Sequence, residues 1–284
     1  MYQKIIQELN KLKNSAQAKN LQRFFKTGKG EYGEGDIFLG LKASQTRGIV
    51  KKYFKEADLS DAQKLLNSKI HEHRMAGVLI LVEHYKQASQ EIQQDPSWSR
   101  DRGTTRDDIF SFYLKNARNI NNWDLVDLSA PNIVGQFLFQ TRFSGGLSEK
   151  ETSTTCPSVR REVGKKTSTT CPSVRREVGK NLILYKLAKS KNLWERRMAI
   201  IATLTFIREK QFQDTIKISE ILLKDKHDLI HKAVGWMLRE IGKRDEQTLI
   251  EFLDKNILAM PRAMLRYAIE KLPEKKRQYY LNKK

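Results

Sequence analysis

Apolar residues recur along this chain at three- and four-residue intervals, and almost nowhere do they alternate as a strand would. Ile5, Leu9 and Leu12 share one helical stripe, and Ile49, Tyr53 and Phe54 share another. A third stripe, Met75, Val78, Leu79, Val82 and Tyr85, runs through His71 to Gln87. The same spacing predicts helices near 107–118, 122–140, 192–209, 215–224, 228–242, 246–256 and 260–270. Polar connectors between them are short, so consecutive helices should pack as antiparallel neighbours. The expected fold is all-α, an α-solenoid of helix pairs forming a single domain over 1–284. No strict sequence period shows through, and a plain helical bundle also fits the pattern.

Two segments interrupt the rhythm. Residues 90–105 are polar, contain Asp95-Pro96 and Gly103, and read as an exposed loop. Residues 145–181 contain a tandem repeat of a 15-residue unit. TSTTCPSVRREVGK at 152–165 is followed by Lys166 and recurs unchanged at 167–180. Packed repeats diverge at caps and contact positions, so an unchanged copy points to recent duplication in the coding DNA. The segment is expected to be an inserted, solvent-exposed, disordered basic loop, in line with the tolerance of surfaces for insertions.

Charge narrows the function. The chain has 284 residues with 53 Lys and Arg against 33 Asp and Glu, a formal net charge of +20. The repeated segment has seven basic and two acidic side chains, which leaves +15 on the rest of the chain. A basic folded body points to a polyanionic partner, with nucleic acid the default and an acidic membrane surface second. The longest apolar run, Ala76 to Val82, is far short of the roughly 18 residues of a membrane span, and the start has no apolar signal region. The expected location is cytoplasmic, associated with the nucleoid. Cys156 and Cys171, the two cysteines, both lie in the repeat, so neither a disulfide framework nor a cysteine metal site is available to the body.

Candidate chemistry begins at Asn122 to Pro131, N-W-D-L-V-D-L-S-A-P. Trp123 and Asp127, four apart on a helix, share a face. An indole and a carboxylate together suit a cationic group or a reaction that develops positive charge. An Asn-capped helix with a buried Trp and a solvated Asp is the plainer explanation of this motif in isolation. In the helix opened by Asn192, Trp194, Ile201 and Leu204 form an apolar stripe that also contains Arg197, while Arg196 points elsewhere. A charge on that stripe requires a partner, either a neighbouring acid at the edge of the core or a phosphate in a groove. Around Ile230 to Lys243 the core stripe is Ile230, Val234, Met237, Leu238 and Ile241, and Trp236 lies off it among Lys232, Arg239 and Lys243. A Trp on a basic face suits stacking against nucleic acid.

Other patterns carry less. Gly28, Gly30 and Gly33 match G-x-G-x-x-G, but no strand precedes them and the region reads as a polar turn. His227 and His231 stand four apart, with Asp228 where a zinc protease would have Glu, and no third ligand follows, so no metal is expected. His71 and His73 flank Glu72 near a helix start and read as surface groups. No local nucleophile triad is evident.

Together, W-D-L-V-D-L-S-A-P at Trp123 to Pro131, W-E-R-R-M-A-I at Trp194 to Ile200 and I-H-K-A-V-G-W-M-L-R-E at Ile230 to Glu240 resemble the AlkD-like DNA alkylation repair family, DNA glycosylases built from HEAT-like helical repeats. G-D-I-F-L-G at Gly35 to Gly40 and M-P-R-A-M-L-R-Y-A-I-E at Met260 to Glu270 extend the resemblance over nearly the whole chain; the repeat is not part of it. The resemblance implies HEAT-like helix pairs around a concave basic groove. It implies hydrolysis of the N-glycosidic bond of cationic purines, such as N3-methyladenine and N7-methylguanine, in double-stranded DNA. It places the catalytic aspartate on Asp127, the active-site tryptophans on Trp123 and Trp236, and the DNA-contacting arginine on Arg197. Trp194, Lys232 and Arg239 are further DNA-binding candidates. A position usually Tyr in the family falls on Phe24, which lacks the hydroxyl. A purine alkylated on N3 or N7 already carries positive charge and leaves without a general acid, so a carboxylate and indole faces that stabilise an oxocarbenium-like sugar fit the task. The expectation is therefore a monomeric, monofunctional glycosylase without cofactor or lyase step. A HEAT-like protein that binds damaged or structured DNA without cutting is the alternative. A protein-binding scaffold is disfavoured by the net charge and by the arginine on the apolar stripe.

Overall fold

A computed structural model describes residues 1–94, 104–143 and 182–283. The expected 145–181 loop, and most of the expected loop at 90–105, lie outside these residues. The described residues form α1 (Tyr2–Lys11), α2 (Ser15–Phe24), α3 (Ala43–Tyr53), α4 (Leu59–Leu66), α5 (His71–Gln94), α6 (Arg106–Lys115), α7 (Trp123–Ser129) and α8 (Gln136–Phe143), then α9 (182–188). They continue through α10 (Leu193–Ala202), α11 (Leu204–Arg208), α12 (Gln213–Leu222), α13 (Asp228–Gly242), α14 (Glu246–Asn256), α15 (Arg262–Ala268) and α16 (Glu274–Lys283). Among the described residues no strand forms, and β pairing is limited to an isolated bridge between Ile37 and Ile70.

Packing passes along the chain from one helix group to the next, as in a solenoid. Helix α5 packs on α3 and α4 on one side and on α6 and α7 on the other. An inner row, α5 to α7 to α10 to α13 to α15, is continuous, and it carries the residues of interest. One long apolar core runs behind that row. Helix α5 is its centre, because every residue from His71 to Val82 is buried, the signature of a helix surrounded on all sides. The helix also runs on to Gln94, so the first turn of the expected polar loop is helical; Thr105 then caps α6.

Two long predicted helices are each broken. The 122–140 stretch divides at Pro131, which has no N–H to donate, and a wide turn over Pro131–Gly135 closes with Gly135 N–H on the Ala130 carbonyl at 2.9 Å. The 192–209 stretch divides at Thr203, whose hydroxyl donates to the Ile200 carbonyl. The breaks dock on one another: Thr205 Oγ1 donates to the Pro131 carbonyl at 2.8 Å, and a Cβ at Gly135 would lie 2.4 Å from the Ala202 carbonyl oxygen. Gly135→Ala should therefore lower stability by about 1–3 kcal/mol, the usual cost of overpacking. Denaturant unfolding measures it, and an unchanged midpoint would contradict this close approach.

Helices α2, α4, α9 and α16 had no clear stripe in the sequence. Helix α2 buries only Ala18 and α16 only Tyr280, so neither has a stripe to read. Helix α4 buries Ala62, Leu65 and Leu66 on one face of only eight residues, a short stripe that the sequence reading did not take up. Leu12, read as part of the first stripe, follows the end of α1 and is exposed.

Candidate active site

Asn122 caps α7 by accepting the Trp123 N–H at 2.8 Å, which starts the helix so that Trp123 and Asp127 stand one turn apart on the same side. Both line a cleft of about 490 Å³. Its other walls are Arg197 of α10, Asp228, Leu229, Lys232, Trp236 and Arg239 of α13, Tyr267 of α15, and Phe24, Lys26 and Tyr32 of the N-terminal region. Three sequence segments far apart in the chain thus meet in one place, as their separate motifs suggested.

Arg197 is 5 % exposed and takes its anion from inside the chain. Its Nε and Nη2 each donate to one oxygen of Asp127 at 2.8 Å, and Nη1 donates to the Leu229 carbonyl. Asp127 is thus an acid partner for the charge on the apolar stripe. Three of the five guanidinium donors are engaged. This fork fixes the carboxylate's plane, since both oxygens are held at once. Burial pushes the Asp127 carboxyl above its ordinary value against the pull of Arg197, with Asp124 adding to the rise. Arg196 points away and pairs with Asp225.

The tryptophans separate. Trp123 and Trp236 line the cleft, whereas Trp194 is 7 % exposed and packs in the core with Tyr32 edge-on to it at 6.2 Å. Trp194, a DNA-binding candidate in the sequence, does not line the cleft but is buried on the part of the α10 stripe that packs against Tyr32. Phe24 stands at the mouth, 64 % exposed and edge-on to Trp123 at 6.0 Å. Lys232 pairs with Asp228 at 2.6 Å, and Arg239 with Glu270.

Sequence reading missed what lies behind Trp123. One face of the indole stacks on Phe25 at 5.2 Å, and Phe25 and Phe38 in turn pack against the ring of His71. His71, Glu72 and His73, read as surface groups, are buried, because the central helix α5 is enclosed from its first residue. Glu72 accepts the backbone N–H groups of Leu39, Gly40 and Leu41 at 2.8–3.2 Å. His71 lies 2.8 Å from Asp124 and 3.5 Å from Asp36, while Asp36 also takes Arg74 at 2.6 Å and the Asn122 amide at 3.0 Å. The cap of α7 is therefore anchored to a buried ion cluster. Continuous burial was the missed signal, since seven apolar residues, Ala76 to Val82, follow without a polar face.

A second cavity of about 430 Å³ lies on the far side of Phe24 and Trp123, walled by Phe25, Phe38, Leu41, Met75 and Leu128. The glycine-rich turn is not a phosphate cradle. Its Gly28 and Gly30 N–H groups are taken by the Glu31 and Glu34 carboxylates at 2.9 and 2.8 Å. The turn instead presents Lys26 and Tyr32 to the cleft. His227 caps α13, and the His231 ring meets the Asp225 carbonyl. Among the described residues no cluster of metal-ligating side chains forms, and no helix is long and apolar enough to cross a membrane.

An all-helical stack with a carboxylate and two indoles in one basic-rimmed cleft defines a class of protein suited to holding a polyanion and stabilising positive charge within it. The chain matches the model of the DNA alkylation repair enzyme family over residues 5–149 and 172–272, and it belongs to that family. The interval between the matched blocks, 150–171, lies within the 145–181 segment and takes in the first copy of the repeat. A solved structure described as a predicted DNA alkylation repair enzyme from Enterococcus faecalis superposes with a TM-score of 0.56 at 15 % identity, covering 92 % of this chain and 97 % of that one. At that identity the likeness supports the shared fold. A search of the curated proteins finds no match.

Proposed function

We propose that this protein is a DNA glycosylase that hydrolyses the N-glycosidic bond of cationic alkylated purines, of the N3-methyladenine and N7-methylguanine type, in duplex DNA. The observation that carries this reading is the convergence of Asp127, Trp123 and Trp236 on one cleft in a chain of the alkylation repair family. As the bond from C1′ to the purine nitrogen breaks, the base takes the electron pair and leaves neutral. Positive charge moves to the sugar, where the Asp127 carboxylate and the indole faces stabilise it. Water then adds to C1′ and loses a proton to Asp127 or solvent, giving a free base and an abasic site. Arg197 serves by holding the carboxylate in place before the reaction, with two N–H donors left over for a DNA phosphate. Lys232 is given no Schiff-base role in this reading, since its hydrogen bond to Asp228 raises its pKa, the opposite of what a nucleophilic lysine needs.

The bidentate pair also favours a second reading, a DNA-binding protein without turnover in which Asp127 serves only to hold Arg197. Incubation with duplex DNA carrying N7-methylguanine separates the two. Release of free 7-methylguanine is expected, and DNA binding without release would leave the binder. Binding should weaken by about 0.9 in log K per phosphate contact per decade of salt. A flat salt response would remove both readings.

A further inference from the structure

We propose that Lys232, with the hydroxyls of Tyr32 and Tyr267, forms a seat for one backbone phosphate of DNA held in the cleft. The inference rests on the DNA-binding part of the reading above and not on base release. Tyr32 belongs to no motif singled out in the sequence, Tyr267 falls within M-P-R-A-M-L-R-Y-A-I-E without a role assigned to it there, and the two come from opposite ends of the chain.

Three elements bring the groups together. The glycine-rich turn supplies Tyr32, fixed by its edge contact with Trp194 and with its hydroxyl beside the Trp123 indole N–H. Helix α13 supplies Lys232, and α15 supplies Tyr267. Close approach of α13 and α15 depends on Gly235, where a Cβ would come within 2.5 Å of the Tyr267 Cβ. Both phenol groups lie within electrostatic reach of the Lys232 ammonium, and all three side chains line the cleft that contains Asp127.

Their donor set matches an oxyanion. An ammonium brings three N–H donors and each phenol one O–H, supplied to the cleft by three different elements. Lys232 is engaged by Asp228 alone among the described ion pairs, and the two side chains are 41 % and 54 % exposed. An exposed ion pair of that kind has little net worth, so a phosphate can take the ammonium while Asp228 turns to solvent. At these three groups the Lys232 ammonium favours an anion, while the cationic base of the reading above belongs at Asp127 and the indoles. A free small anion lacks the stacking surface that the neighbouring Trp123 and Trp236 offer to a nucleotide.

The test is a phosphate-by-phosphate one. Kd is measured by fluorescence anisotropy for a duplex with a central tetrahydrofuran abasic analogue, and for a series in which single phosphates near it are replaced by neutral methylphosphonate. Wild-type protein should lose about tenfold in affinity at one position, the scale of one or two charge-assisted hydrogen bonds. The Tyr32→Phe/Tyr267→Phe double variant, which keeps both rings, should bind the unmodified duplex about tenfold more weakly and be insensitive to methylphosphonate at that same position. Lys232→Gln, at an exposed site, should show the same insensitivity. A purely structural role would weaken binding at every position equally. Persistence of the full methylphosphonate effect in both variants would overturn the seat. No DNA binding by wild type would instead sink the broader reading.

Discussion

Asp127→Asn should lower single-turnover release of 7-methylguanine by about 10²–10³, the range seen when one preorganised electrostatic group is removed from an active site. Duplex affinity should stay within about twofold, because in the proposed reading Asp127 acts on the sugar and the phosphate contacts are made by other side chains. The substitution also has a structural cost. Arg197 is buried and would face an amide that offers one acceptor where two stood, and breaking a buried ion pair from one side costs about 3–5 kcal/mol. Asp127→Asn/Arg197→Met removes both charges and should recover most of that stability without recovering base release. Unfolding midpoints and quench assays on the same preparations check both statements. A single variant that still releases base at half the wild-type rate would leave Asp127 as a structural acid. The pH profile adds a sign: the Asp127 pKa is raised, so release should fail on the acid side at a pH above the ordinary carboxylate value of 3.8.

Stability should fall as pH rises from 6.5 through 9, by an amount on the order of 3 kcal/mol at 1.36 kcal/mol per pKa unit. The source is His71. Burial alone would depress its pKa, but the charge and hydrogen bond of Asp124, with Asp36 behind, outweigh burial and raise it to about 9. A folded pKa above the unfolded value of 6.5 means that the stabilisation is complete below 6.5 and lost as pH passes the folded value. Arg74 shares Asp36 with His71. His71→Gln should be less stable at pH 6 and show no such decline. Urea titrations at pH 6, 7.5 and 9.5 decide this, and parallel slopes for the two proteins would remove His71 as the source. The cluster holds Asn122, so release at high pH should decline with Trp123 still present but less firmly set.

How much of this was legible depended on whether a pattern was local. Trp123 and Asp127 are four residues apart, and their shared face followed from helix geometry. Arg197 announced itself as a charge on an apolar stripe, but its partner is 70 residues away and no spacing rule reaches that far. Trp236 stood off its stripe and does line the cleft, whereas Trp194 stood on its stripe and is buried, so the stripe was the better guide than the residue type. His71 and Glu72 look like exposed residues at a helix start, and only the tertiary fact that α5 is enclosed reverses that reading. Tyr32 sits in a turn whose shape is set by the Glu31 and Glu34 carboxylates and by positive φ at Lys26, Gly30 and Gly35. Its approach to Lys232 depends on how α13 and the turn meet, which no one-dimensional pattern records.

The wide turn at Pro131–Gly135 sets the direction of Asp127 from behind. Val126, Ala130, Val134 and Leu138 are all buried and recur every four residues. On an unbroken α-helix that interval overshoots one revolution by about 40°, so the row would spiral off the core within three steps. The extra residue in the wide turn absorbs the excess winding and keeps the row facing inward on both sides of the break. Asp127, next to the first member of that row, is thereby held at a constant angle to the core. The bearing of the carboxylate into the cleft is a matter of helical phase, set by buried backbone several residues downstream that does not itself line the cleft.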